Sequence, residues 1–374
     1  MSERKKIPVF DIALGEKEKE YIKDCLDTSF IGQGKYVKTL EEKFSAFVDC
    51  KYGITTTSGT TALHLACATI GLKKNDEVLV SSSTNMACPF AIDYCGAIPI
   101  PIDIEKETWQ LDVNQIENKI NKNTKAIMVV HLFGHPVDMD PVLKIAKKHN
   151  LKIIEDCAES HGVEYKGKKV GSIGDIAAFS FFANKTITCG EGGMVTTNST
   201  ELAEKAKSLK NLAYGKINKF MHDDIGFNYR LPNISAALGL GQFENIKNVF
   251  KEKERIYNRY KKNLEKIKGI NIPVVREWVS KYIMWVFNIY LDNEFPITRD
   301  ELTKKLKENN IDTRDAFVPI NQQKILIDKY KMFKENDCPN ANYIMDNGLY
   351  LPSGNTITNE EIDFVCDVIK KASQ

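Results

Sequence analysis

Three stretches of this chain hold residue types that could do chemistry together. Residues 151–155 (LKIIE) read as an apolar strand, and Asp156 follows directly. In parallel α/β sheets ligands bind beyond the carboxyl ends of the strands, so a carboxylate placed there faces a crevice. The competing reading is a helix cap or turn former. A second apolar stretch, residues 174–184, leads to Lys185, and Gly190-Glu191-Gly192-Gly193 precedes a further strand at 194–197. Glycines permit a tight return or a close backbone approach. A lysine buried in such a crevice has its charged form disfavoured, and a neutral amine can form an imine with an aldehyde. The third stretch, residues 58–65 (SGTTALHL), lies between a strand and a helix. Small residues expose backbone N–H groups at the helix start, where the dipole favours an anion. Ser58 also suits a simple N-cap, and the two roles are compatible.

Each element alone is weak evidence. Together they supply a phosphate cradle, a carboxylate that keeps a pyridine nitrogen protonated, and an imine-forming lysine. Those are the needs of pyridoxal 5'-phosphate, whose protonated ring acts as an electron sink. The GxGxxG and GxxxxGK[ST] patterns do not occur, which disfavours a dinucleotide or P-loop site. His64, His131, His135 and His161 show no metal-ligand spacing, so no metal is expected and a structural role is the reading for each. His161, close behind Glu159, is the one worth following. Cys189 reads as a small buried residue in a tight turn.

The elements that must position these residues alternate. Helices are expected at 16–27, 36–49, 59–70 and 141–150. Strands are expected at 53–57, 77–81, 97–102, 124–131 and 151–155. Residues 124–131 (TKAIMVVH) form a near-continuous apolar run, as in a strand buried on both faces of a parallel sheet. This alternation predicts βαβ units. From about residue 233 the pattern changes to one long helical stretch running toward 267. A strand at 282–291 and helices at 298–309 and 358–372 then suggest a smaller α+β domain.

The 374 residues suit two or three domains, and 43% hydrophobic with 27% charged residues suits a sizeable core. With 52 Lys and Arg against 50 Asp and Glu, the net charge of +2 makes no case for nucleic acid or an anionic membrane. The charged start Met1-Ser2-Glu3-Arg4-Lys5-Lys6 leads into no long apolar stretch, so no signal peptide is expected, and no run suits a transmembrane helix. Nine scattered cysteines without a CxxC pair fit reduced thiols in the cytoplasm.

The segments IGQGKYV, SGTTALHLA, HLFGHPVDMDP, EDCAESHG, GDIAAFSFFANKTITCGEGGMV and GFNYRLPNISAALGLGQ extend over nearly the whole chain. In them the chain resembles the DegT/DnrJ/EryC1/StrS family of sugar aminotransferases. The resemblance implies the aspartate-aminotransferase (type I) fold: an α/β large domain, residues 1–245, with a mainly parallel sheet covered by helices, and a small C-terminal α+β domain, residues 246–374. It implies that Lys185 carries the cofactor and shuttles a proton, and that Asp156 pairs with the ring nitrogen. Glu159 would lie near the ring hydroxyl. Gly59 and Thr60 would give backbone donors to the phosphate, and Ser180 its hydroxyl. Asn228 would reach the phosphate from the neighbouring subunit of a homodimer. Arg230 is a candidate for the donor's carboxylate, with a structural salt bridge as the alternative; His161 and Arg314 are further substrate-side candidates.

The resemblance also implies a reaction: L-glutamate donates its amino group, pyridoxamine phosphate intervenes, and the ketone of a nucleotide-linked 4-keto-6-deoxy sugar accepts it, in cell-surface polysaccharide biosynthesis. Some features depart from the family. Asn85 follows Thr84 where an aromatic residue usually stacks on the cofactor ring. Residues 314–321 (RDAFVPIN) lack a pair of histidines found in members acting on GDP-sugars, and the loop 211–223 is unlike theirs. These changes motivate a second acceptor, a small phosphorylated ketone such as dihydroxyacetone phosphate, giving serinol phosphate. A dehydratase of the same fold would carry histidine in place of Lys185. A non-catalytic sensor on the same scaffold is the remaining alternative.

Overall fold

The computed structural model describes residues 5–222 and 224–374; the charged start at 1–4 and Asp223, the end of the 211–223 loop, lie outside them. The central sheet is built from β1 (Tyr52–Thr56), β2 (Glu77–Ser81), β3 (Ile98–Ile102), β4 (Thr124–Val130) and β5 (Lys152–Asp156). The short strands β6 (Glu164–Tyr165) and β7 (Lys168–Lys169) come next, and then β8 (Ile176–Ser180) and β9 (Gly193–Thr197) complete the sheet. Its order is β1-β9-β8-β5-β4-β2-β3. Only β9 runs against the rest, pairing antiparallel with both β1 and β8.

Alternate residues of these strands feed opposite cores, as the two-residue period requires. Val78, Val80, Ala126 and Met128 pack on one face, and Leu79, Ile127 and Val129 on the other. Likewise Ala178 and Val195 face one core, and Ala177, Phe179 and Met194 face another, against the helices Lys35–Phe47 and Asn233–Glu244. A sheet covered on both faces leaves its strand ends as the place for polar side chains to meet. The type I fold expected from the sequence is the fold observed.

The small domain holds β10 (Ile270–Asn271), β11 (Val279–Lys281), β12 (Phe287–Leu291), β13 (Arg314–Asp315) and β14 (Gly348–Leu351). Four form an antiparallel sheet ordered β10-β12-β14-β13, while β11 joins β6 of the large domain. Helices Ile246–Leu264, Arg299–Glu308 and Asn359–Ala372 pack on it around Tyr260, Leu306 and Ile369. The last two begin with capping boxes, Thr298 with Glu301 and Thr358 with Glu361. The N-terminal segment crosses to this domain: Ile7 bridges to Ile311, and the Ser353 N–H donates to the Val9 carbonyl.

Several elements differ from the sequence expectation, the helices Thr200–Lys210 and Pro339–Asn347 among them. The long helix is two helices, broken at Asn245, whose φ of −94° and ψ of 4° leave the helical region. Asn245 ends one helix and starts the next: its N–H donates to Gln242 and its carbonyl accepts from Asn248 and Val249. The strand expected at 282–291 begins only at Phe287, because the Trp285 backbone is committed elsewhere, its N–H to Phe133 and its carbonyl to Lys253. A helix not anticipated, Ala87–Tyr94, carries Pro89 in its first turn, where a missing N–H costs nothing.

The turn after β4 is tightly constrained. Phe133 and Gly134 both have positive φ, 55° and 89°. A Cβ on Gly134 would sit 2.0 Å from the Ile283 carbonyl oxygen. Gly134→Ala therefore combines backbone strain with a clash against backbone, and stability should fall by about 2 kcal/mol or more. Urea unfolding of both proteins checks this; an unchanged midpoint would contradict the packing described.

Candidate active site

The helix Gly59–Thr69 opens on a cavity of about 340 Å³ at the carboxyl edge of the sheet. Its first turn is organised by a capping box. The Ser58 hydroxyl accepts the Thr61 N–H at 3.1 Å, and the Thr61 hydroxyl accepts the Ser58 N–H at 2.9 Å. The Gly59 and Thr60 N–H groups precede any intrahelical acceptor and stand where the dipole favours an anion. Ser180, the last residue of β8, faces them. A Cβ on Gly59 would lie 2.6 Å from the Ser180 Cβ and 2.8 Å from its Oγ, so glycine keeps this cradle open.

Asp156 ends β5 on the same cavity and is 5% exposed. Both carboxylate oxygens are held. Oδ1 accepts the Ala158 N–H at 3.0 Å, and Oδ2 accepts the Cys88 thiol at 2.9 Å. Burial, reinforced by the Asp156 charge, pushes the Cys88 thiol well above its ordinary value, so it stays protonated and remains a donor. Cys88 lies on the helix Ala87–Tyr94, which the sequence reading passed over.

Lys185 reaches the cavity from the turn after β8, with its side chain 12% exposed. Its Nζ lies 3.4 Å from the Glu159 Oε1 and 3.9 Å from the centroid of the Trp285 ring. The other Glu159 oxygen accepts the Phe133 N–H at 3.0 Å. Burial pushes the Glu159 carboxyl above its ordinary value, against the opposing pull of Lys185 and the Phe133 N–H. Behind them Glu155 is fully buried. Burial alone would raise it, but the His131 ring and the Gly171 and Gly174 N–H groups hold it below its ordinary value.

The structure thus brings Gly59, Thr60, Asp156, Glu159, Ser180 and Lys185 onto one cavity. Trp285, Phe317 and Tyr350 complete its wall, and sequence reasoning missed all three. Asn85 lines it too, its side chain turned back to accept the Ala87 N–H. Asn228, Arg230 and Arg314 lie outside it. Asn228 is exposed and bridges to Asn211, while Arg230 donates to the side chains of Asn228 and Asn211. Arg314 is exposed and bonded to Asp312. His64, His131 and His135 have partners in Tyr229, Glu155 and the Pro136 carbonyl. His161 does not line the cavity. It is fully buried against Phe44, Phe179 and Phe181, and neither ring nitrogen has a hydrogen-bond partner, although the Ser180 backbone lies near.

The donor set fits pyridoxal phosphate. Backbone donors and a hydroxyl surround an anion cradle that a single added Cβ would fill, with a fixed carboxylate and a reachable amine in the same cavity. Comparison with known proteins agrees. A family model described as the DegT/DnrJ/EryC1/StrS aminotransferase family matches residues 13–370. GDP-perosamine synthase of Escherichia coli O157:H7 is 41% identical over 371 residues, covering 98% of each chain. GDP-perosamine synthase of Vibrio cholerae is 37% identical, covering 97% of this chain and 98% of its own. The crystal structure of S. venezuelae DesV in complex with a ketimine intermediate superposes with a TM-score of 0.92 at 29% identity, covering 99% of both. The chain belongs to the DegT/DnrJ/EryC1/StrS family and is a pyridoxal-phosphate-dependent sugar aminotransferase.

His161 generates a prediction about acid stability. Burial lowers its pKa to about 3 in the folded protein, against about 6.5 when unfolded. Between those values the unfolded chain binds a proton that the native state refuses, so stability falls as pH falls. His161→Leu removes this term. Its stability relative to the parent should rise on acidification below about pH 6.5, by at most about 1.4 kcal/mol per pH unit. Urea midpoints measured near neutrality and near pH 5 test it; parallel losses in both proteins would count against it.

Proposed function

We propose that this member of the family transfers the amino group of L-glutamate to the ketone of a nucleotide-linked 4-keto-6-deoxy sugar, for a cell-surface polysaccharide. The observation that carries the chemistry is the convergence of Lys185, Asp156, Ser180 and the Gly59 helix start on one cavity. Support for the acceptor comes from relatives named GDP-perosamine synthase, 41% and 37% identical over nearly the whole chain.

When bound, the cofactor supplies an aldehyde for the Lys185 amine and a protonated ring that draws electrons from the reacting carbon. The remaining work falls to side chains. Gly59 and Thr60 N–H groups and the Ser180 hydroxyl would hold the phosphate. Asp156, fixed through both oxygens, would keep the proton on the ring nitrogen. Glu159 would stand at the ring hydroxyl while keeping Lys185 Nζ close. Lys185, once freed, would take the proton from the donor's α-carbon and deliver it to the cofactor carbon that bears the transferred nitrogen, a general acid–base role.

The test supplies nitrogen-labelled glutamate with either GDP-4-keto-6-deoxymannose or dihydroxyacetone phosphate. Label should enter the nucleotide sugar, and Lys185→Ala should lower turnover by about a thousandfold or more. Label entering only the triose product would overturn the acceptor, and undiminished turnover of the lysine variant would overturn the chemistry.

We further infer that two copies share each site. Asn228 is exposed and outside its own chain's cavity, which suits a role across a twofold interface. Asn228→Asp would set a like charge beside the phosphate. Mixed with Lys185→Ala protein after dissociation, it should recover activity that neither variant has alone. No recovery, with mixed dimers confirmed, would exclude a site built this way.

A further inference from the structure

We propose that Trp285 is a positioning residue for Lys185, through which the small domain sets where the lysine amine stands. The inference rests on the reading of Lys185 as the proton carrier. Trp285 precedes β12 and is 3% exposed. Its indole Nε1–H donates to the Asn184 carbonyl at 2.8 Å, the peptide immediately ahead of Lys185. Its ring face lies 3.9 Å from Lys185 Nζ. One side chain thus holds both ends of the lysine: the indole N–H fixes the backbone it grows from, and the ring face seats its tip.

Trp285 is itself held from behind. Phe10 stacks on it at 5.5 Å and Phe133 at 5.9 Å. Its carbonyl accepts the fully buried Lys253 ammonium at 2.9 Å, and the same ammonium donates to the Ser353 carbonyl at 2.7 Å. A buried ammonium is costly unless hydrogen-bonded, so these bonds lock the backbone on both sides of the small-domain sheet edge. Phe133 in turn gives its N–H to Glu159, the other neighbour of Lys185 Nζ. The amine therefore sits between a carboxylate of the large domain and an indole of the small one. A general base displaced by about 1 Å can lose on the order of a hundredfold in rate, which sets the expected effect.

Two variants separate the contacts. Trp285→Phe keeps a ring face and loses the N–H donor; Trp285→Leu loses both. The first readout is the rate at which cofactor-free protein gains visible absorbance on adding pyridoxal phosphate. The second is the single-turnover reaction with α-protiated and α-deuterated glutamate. We expect Trp285→Leu to slow both by about a hundredfold, with a larger isotope effect and glutamate affinity within about threefold of the parent. Trp285→Phe should lose about tenfold or less, as for one hydrogen bond. Wild-type rates in both variants would overturn the proposal. So would equal losses in rate and glutamate affinity at an unchanged isotope effect, which mark general loosening. If the parent protein gained no visible band, the lysine reading itself would fail, and this proposal with it.

Discussion

The bond from the Phe133 N–H to the Glu159 carboxylate couples backbone strain to charge, and much of the site depends on it. A phenylalanine at positive φ costs on the order of 1–3 kcal/mol. That conformation aims the N–H inward and lays the ring between Trp285 and Phe317, at 5.9 Å from each. Glu159 is then an acceptor already half satisfied, with one oxygen left for Lys185. Burial and the Asp156 charge both favour the neutral form of Glu159, and Lys185 and this donor oppose them. The strained turn is therefore tied to the charge balance of the cavity.

Charge balance explains the rest of the wall. Asp156, Glu159 and Glu191 bring three carboxylates to the cavity, and Lys185 brings one amine. A carboxylate at Asp156 would suit the role proposed for it, keeping a ring nitrogen protonated. Its donor partners there, a backbone amide and a thiol, are neutral. An arginine in place of Cys88 would also fix the carboxylate, but would cancel the charge the nitrogen needs. A thiol is a weak donor, and burial beside Asp156 keeps it protonated. Orientation is thus obtained without neutralisation.

What could be read from the sequence was local. The strand end at Asp156 is legible as an apolar run that stops at a carboxylate, whereas Ser180 lay inside the apolar stretch 174–184 and was singled out only by the family resemblance. The helix start at Gly59 is legible from Ser58 and the small residues after it. The break at Asn245 could have been suspected, since Asn favours caps over helix interiors. Trp285, Phe317 and Tyr350 were invisible for a different reason. Each lies far along the chain from Lys185, and an aromatic in an apolar stretch looks like any other core residue. Trp285 was also hidden by its neighbours: 282–291 alternates like a strand, and only the two backbone bonds that withdraw its start from the ladder reveal otherwise. His161 misled in the opposite direction. Its place two residues from Glu159 suggested the cavity, but the two are joined by a turn, and it enters the phenylalanine cage instead.

The division of labour between domains follows from this geometry. Every group proposed to bind phosphate, pair with the ring nitrogen or carry the proton comes from the large domain, on strand ends, a helix start and the turns that follow them. The small domain contributes Trp285, Phe317 and Tyr350, which close the cavity with aromatic rings, and Trp285 meets Lys185. A reaction common to many acceptors needs the first set unchanged. Discrimination among acceptors has to come from surfaces that can vary without disturbing it. The aromatic wall is joined to the catalytic set by few polar contacts, chiefly the Trp285 bond to the Asn184 carbonyl. Phe317 stacks on Phe133 and packs against the core, with no polar side-chain atom to bond into the lysine turn. It can change in size or polarity at small cost to the chemistry, whereas Trp285 cannot. Within one wall, then, Trp285 and Phe317 both stack on Phe133, and of the two only the indole carries a hydrogen bond into the lysine turn.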